Sequence, residues 1–113
     1  MDKANDQVYS RHILRAIEGI KTFIKGLTFE DFENDMKTQL AVARELEIIG
    51  EVAKRFSEKF KEEHAHIPWR KISGMRDFLI HDYAEVDLRE VWKAATEDIL
   101  ELEKELEKYK NLL

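Results

Sequence analysis

Apolar residues recur every three or four positions along most of this chain, the period of one face of an α-helix. Four stretches carry the pattern. The first runs from about Asp6 to Lys25, with Tyr9, Ile13, Ile17, Ile20 and Ile24 as its apolar stripe. Gly26 follows, where a residue without a Cβ can close a helix in the left-handed conformation. The second start is better marked. Thr28 can cap it, Asp31 stands at the third helical position, and Leu27 and Phe32 have the spacing of a hydrophobic staple. From there Phe32, Met36, Leu40, Ala43, Leu46, Ile49, Ala53, Phe56 and Phe60 predict one long helix. Gly50 interrupts it at a cost of about 1 kcal/mol relative to alanine, and close packing of another helix is its simplest explanation.

Residues 61–68, KEEHAHIP, read as a turn or a frayed end, and Pro68 suits the first turn of a new helix. A third helix is predicted from about Trp69 to Asp82, with Ile72, Met75 and Leu79 as its stripe. Gly74 weakens it or permits a close crossing. Asp87 and Glu90 then fit an N-terminal cap, with Val86 and Val91 as a staple pair. Leu88, Val91, Ala95, Ile99, Leu102, Leu106 and Tyr109 mark a final helix whose outer face is strongly charged. The pattern predicts an all-α, up-and-down bundle of about four helices, one domain over residues 1–113.

Composition narrows the chemistry. Without cysteine there is no disulfide, thiolate nucleophile or thiolate metal site. The first residues lack the apolar core of a signal peptide, and no stretch approaches a membrane span, so a cytoplasmic location is expected. Nineteen basic side chains against twenty-four acidic ones give a net charge of −5. That argues against broad, nonspecific nucleic-acid binding, yet leaves room for a small basic cleft on an acidic body.

The four histidines are the natural place to look for proton transfer. His12 lies beside Arg11 and Arg15 and reads as a solvated member of a basic patch that could touch phosphate. His64 and His66 have the spacing of half a metal site on an extended backbone, but no cysteine offers a third ligand, and no resident metal is expected. HExxH, Walker A and GxGxxG motifs are absent. His81 differs from the others because it lies in the segment Arg76-Asp77-Phe78-Leu79-Ile80-His81-Asp82-Tyr83. Arg76 can hold phosphate with directed donors, His81 can exchange protons near neutrality, and Tyr83 adds a hydroxyl. On one straight helix His81 would stand about 140° around from Arg76. They converge only through side-chain reach, a distorted helix end or a second subunit. Asp77 and Asp82 flank the pair, and either could orient a basic group. The same residues also permit a purely structural reading, with Arg76 paired to an acid and His81 satisfied by a neighbour.

Three ordered blocks, HILRAIEGI, GLTFEDFENDMKTQLAVARELEIIGE and IPWRKISGMRDFLIHDYAEVDLREVW, cover most of the chain. In this order they resemble the HepT-like family of the HEPN superfamily. That family's signature is an arginine, four to six intervening residues and a histidine, often followed after one residue by a tyrosine. It falls here on Arg76, His81 and Tyr83, and none of the other six arginines has a histidine at that spacing. The resemblance implies a HEPN-like bundle and a metal-independent RNA endonuclease, the toxin of a toxin–antitoxin pair. Arg76 and His81 would be catalytic, with Tyr83, Asp77 and Glu51 binding or supporting RNA. It further implies a homodimer, no cofactor, and an MntA-type minimal nucleotidyltransferase antitoxin that transfers AMP to Tyr83. Glu51 enters through the family-like segment IIGE, as support near the cleft and not as a catalyst. A non-catalytic binding partner of a nucleotidyltransferase and a structural dimeric bundle are the competing expectations.

Overall fold

The computed structural model describes the backbone of residues 2–75 and 87–110, and side chains within 5–75 and 87–108. All regular structure among them is helical. The order is α1 (Asp2–Ile24), α2 (Phe29–Glu33), α3 (Met36–Ala53), α4 (Glu58–Glu63), α5 (Trp69–Gly74), α6 (Leu88–Lys93), a π-helical turn (Ala94–Asp98) and α7 (Ile99–Lys110). No helix among the described residues is long and apolar enough to cross a membrane.

The expected start of the second stretch is present. Gly26 turns the chain at φ 79°, in the left-handed region open to glycine. Thr28 and Asp31 then form a reciprocal capping box. The Asp31 amide donates to Thr28 Oγ1 at 3.1 Å, and the Thr28 amide donates to Asp31 Oδ2 at 3.0 Å.

The single long helix expected from Phe32 to Phe60 is instead divided into α2, α3 and α4. Two local competitors explain the division. Asp35 caps α3, its carboxylate accepting from the Thr38 amide at 3.1 Å and from the Thr38 hydroxyl at 2.6 Å. Gln39 Nε2 reaches back to the Phe32 and Glu33 carbonyls at 2.9 and 3.0 Å, joining the Asp35 amide at the first and supplying a donor to the second at the end of α2. Ser57 caps α4 in the same way, its hydroxyl accepting from the Phe60 amide at 3.1 Å. The breaks also reset the helical phase, so Met36 and Leu40, expected in the stripe, are exposed.

Ile13, Ile17 and Ile20 of α1 are fully buried, as are Val42, Leu46 and Ile49 of α3 and Ile99, Leu102 and Leu106 of α7. Each such side chain contributes roughly 1.5–3 kcal/mol of transfer free energy. α1 and α3 run antiparallel: Asp6 near the start of α1 bonds Ser57 beyond the end of α3, while Gly19 lies against Glu45. α5 adds Ile72 to this core, and Tyr9, Phe56, Phe60 and Trp69 pack beside it, Phe56 stacked on Phe60 and the other pairs edge to face or tilted.

The final stripe is buried as expected at Val91, Ala95, Ile99, Leu102 and Leu106, but it is not one continuous α-helix. The π turn inserts at Ala94–Asp98, with the Thr96 hydroxyl donating to the Trp92 carbonyl at 2.7 Å.

Candidate functional site

Arg76, Asp77, His81, Asp82 and Tyr83 lie outside the described residues. The structure does describe the elements that lead into and out of their segment. α5 carries the chain in. Its first turn is held by the Trp69 indole, which donates to the His64 carbonyl at 3.1 Å, and by buried Ile72. Met75, the last described residue on this side, is also buried. Among the described residues, a Cβ at Gly74 would meet nothing within 4 Å.

α6 carries the chain out. Its cap is Asp87, as expected, with the carboxylate accepting from the Arg89 amide at 2.9 Å. The helix is docked by aromatic contacts: Trp92 packs on Phe32 and Phe29, and the Arg89 guanidinium lies 4.4 Å from the Phe29 ring centre. Between the two flanks is a cavity of about 290 Å³, walled by Lys71, Gly74 and Met75 on one side and Glu90, Lys93 and Asp98 on the other. Lys71 and Asp98 are paired across it at 3.2 Å. The described flanks of the motif segment, α5 and α6, thus both contribute to the walls of this hollow.

Glu51 is half-buried on α3 and engaged in an interaction. Its neighbour Gly50 is buried, in line with close packing.

The basic patch expected around His12 is present on α1. Arg11 and Arg15 lie one turn apart and exposed, and with Val8 and His12 they line a shallow depression of about 240 Å³. A larger groove of about 670 Å³ continues along α1 past Leu14, Gly19 and Phe23. Two guanidiniums on an acidic protein can attract phosphate. His12 has no hydrogen bond or ion pair among the described residues, so nothing there orients it for proton transfer.

Sequence reasoning missed the surroundings of His64 and His66. Both face Glu105 of α7: His66 Nε2 is 3.1 Å from Oε1 and His64 Nδ1 is 3.7 Å from Oε2. The His66 hydrogen bond holds the Glu105 carboxyl below its ordinary value, with Lys108 adding to the effect against the opposing influence of burial. The only signal in the sequence was the four-residue spacing of Glu101 and Glu105, which reads equally well as a charged outer face. On α3, burial beside α1 pushes the Glu45 carboxyl up, partly offset by Arg44.

A family profile described as "Ribonuclease HepT-like" matches residues 13–109, a span that contains the whole Arg76–Tyr83 segment. Among curated proteins, the chain is 48% identical over 106 residues to "Probable ribonuclease HepT" of Thermococcus cleftensis, covering 94% of this chain and 96% of that protein. It is 44% identical over 98 residues to a protein of Caldanaerobacter subterraneus named a "Putative RNase", covering 87% and 88%. A third, from Methanocaldococcus jannaschii and also named a "Putative RNase", is 39% identical over 108 residues, covering 96% and 89%. No solved structure matches significantly.

Proposed function

The chain belongs to the ribonuclease HepT-like family, and from that premise we propose that it is an RNA endonuclease, acting without a metal ion, and the toxin of a toxin–antitoxin pair. The observation that carries this reading is a family match that runs through the Arg76–Tyr83 segment, together with three relatives named as ribonucleases over most of their length.

The proposed reaction uses the substrate's own nucleophile. The RNA 2′-oxygen attacks the adjacent phosphorus, a new P–O2′ bond forms, and the P–O5′ bond breaks. His81 takes the proton from the 2′-hydroxyl, or delivers one to the departing 5′-oxygen. Arg76 carries the negative charge that builds on the phosphoryl oxygens and stays ionised throughout. Tyr83 donates to the RNA backbone. Asp77 orients a basic neighbour, and Glu51 supports the cleft from α3. The products are a 2′,3′-cyclic phosphate and a free 5′-hydroxyl.

Regulation follows from the same groups. A nucleotidyltransferase antitoxin of the MntA type would transfer AMP to the Tyr83 hydroxyl, placing bulk and negative charge where RNA phosphate must bind. In this reading the protein is one helical domain, works in the cytoplasm, and pairs with a second copy so that two motif segments share a cleft.

The test is cleavage of defined single-stranded RNA by unmodified protein in EDTA, beside a folded His81→Ala variant. Cleavage should fall by about 10²–10⁴-fold in the variant, the usual worth of a proton-transfer group. A 2′-deoxy substitution at the cut site should abolish it. Equal cleavage by the variant, or none by the parent on several RNAs, would overturn the assignment and favour a non-catalytic nucleotidyltransferase partner.

A further inference from the structure

The turn between α4 and α5 faces α7, and potential metal ligands from both converge there. His66, Glu101 and Glu105 each offer one ligand atom, and the three atoms lie within 4.8 Å of one another. We infer that this junction is a site for a divalent transition-metal ion of the Zn²⁺ class, held by His66 from the turn and by Glu101 and Glu105 from α7. It is independent of the Arg76–Tyr83 chemistry.

Spacing supports it first. Zinc bonds of about 2.0–2.2 Å at tetrahedral angles place neighbouring ligand atoms roughly 3.3–3.6 Å apart. His66 Nε2 and Glu105 Oε1 are already at 3.1 Å. Glu101 is one helical turn before Glu105, so both carboxylates project on the same side of α7. Two like charges at that spacing repel, and a cation between them removes the repulsion.

The donor types decide the class of ion. Magnesium and calcium take all-oxygen shells, whereas an imidazole with two carboxylates suits zinc and its first-row neighbours. His64 is a second imidazole near the same carboxylate, with Nδ1 3.7 Å from Glu105 Oε2.

The turn is also held in place before any ion arrives. The His64 carbonyl accepts from the Ile67 amide at 3.0 Å and from the Trp69 indole at 3.1 Å. The His64 ring packs on Phe60 with centres 4.2 Å apart, and Ile67 is buried. His66 thus projects from between two anchored residues, so little ordering remains to be done on binding. The Glu105 side chain is 13% exposed and that of His66 is 50%, giving a sheltered floor and an open entrance. Lys108 lies 3.3 Å from Glu105 Oε1, but its exposed side chain is free to swing away. A bound ion would fasten α7 to the turn that launches α5.

The test is calorimetric titration of the chelator-stripped full chain with ZnCl₂, and separately with MgCl₂. One Zn²⁺ per chain should bind at micromolar concentration and Mg²⁺ should not. His66→Ala and Glu101→Gln should each weaken Zn²⁺ by at least about tenfold, the scale on which even ligand-supporting residues act. Both positions are exposed, and circular dichroism is the check that each variant is folded. His66→Cys, in a chain with no other cysteine, should restore binding and give Co²⁺ a sulfur-to-metal absorption band that His66→Ala lacks. No saturable Zn²⁺ binding, or an affinity that either substitution leaves unchanged, would overturn the site. RNA is absent from this experiment, so it stands or falls apart from the cleavage assay.

Discussion

α1 meets α3 through an apolar interface, whereas α7 meets the turn before α5 through charges. Ile13, Ile17 and Ile20 lie in the same core as Val42, Leu46 and Ile49 with no solvent exposure. One of the buried polar side chains there is Asp6, 4% exposed, which receives both the amide and the hydroxyl of Ser57 at 3.0 and 2.8 Å. At the other junction, His66, Glu105 and Lys108 make their contacts at the edge of solvent, and the neighbouring pair Lys71–Asp98 joins α5 to the π turn in the same manner. Apolar burial supplies most of a fold's stability, while exposed ion pairs supply little. The α1–α3 interface holds the protein together. The α7 junction arranges ionisable groups whose solvent-edge pairs add little to stability.

That contrast is broken most directly at Leu46. Leu46→Ala should lower unfolding free energy by about 2–5 kcal/mol through lost burial and the cavity left behind. Urea melts that shift by under about 1 kcal/mol would place the stabilising core elsewhere. Asp6→Ala should cost about 1–3 kcal/mol, because it strands a Ser57 amide and hydroxyl in a partly buried place. A cycle with Ser57→Ala should show strong coupling between the two, and additive losses would mean that the link does not join α1 to α4.

Glu45 sharpens the comparison through pH. Its folded-state pKa is raised by burial, so ionisation above that value costs stability. The favourable contribution is full below the ordinary glutamate value and lost as pH rises through the raised one. Glu45→Gln should therefore melt higher than the parent at neutral pH and coincide with it in acid. A gap that persists in acid would point to a packing effect. The smallest change belongs to the charged side. Lys71→Ala removes a pair with Asp98 that is exposed at its lysine end and should cost about 0–1 kcal/mol, less with added salt. A larger loss would erase the distinction between the two regions.

Periodicity and caps made much of this legible. Thr28, Asp31, Gly26 and Asp87 all act where the sequence places them, because their signals are local. The divisions at Asp35 and Ser57 were hidden by an unbroken apolar stripe. They depend on Gln39 folding back to α2 and on Asp6 arriving from the far end of the pair, and neither is visible in a local window. The π turn has no residue signature at all among Ala94–Asp98. The segment from Arg76 to Tyr83 was named by its spacing and its resemblance, and it lies beyond the described residues. Glu101 and Glu105 show the opposite failure. Their spacing was visible, but a surface helix rich in glutamate looks the same whether or not histidines wait opposite it.

The π turn also changes how the last third of the chain tolerates length variation. One additional residue is wound into Ala94–Asp98, so everything downstream is rotated by about 100° relative to an unbroken α-helix. α6 can thereby aim Trp92 at the aromatic pair Phe29 and Phe32 while α7 aims Leu102 and Leu106 at the core. The turn works as a phase shifter between two docking directions. Deleting Thr96 alone would remove no core side chain and would let the turn close into plain α-helix, keeping Glu101 and Glu105 on their bearing toward His66, whereas a deletion within α7 would turn the rest of its buried stripe outward. The gene can lose one codon within Ala94–Asp98 more safely than one codon beyond it.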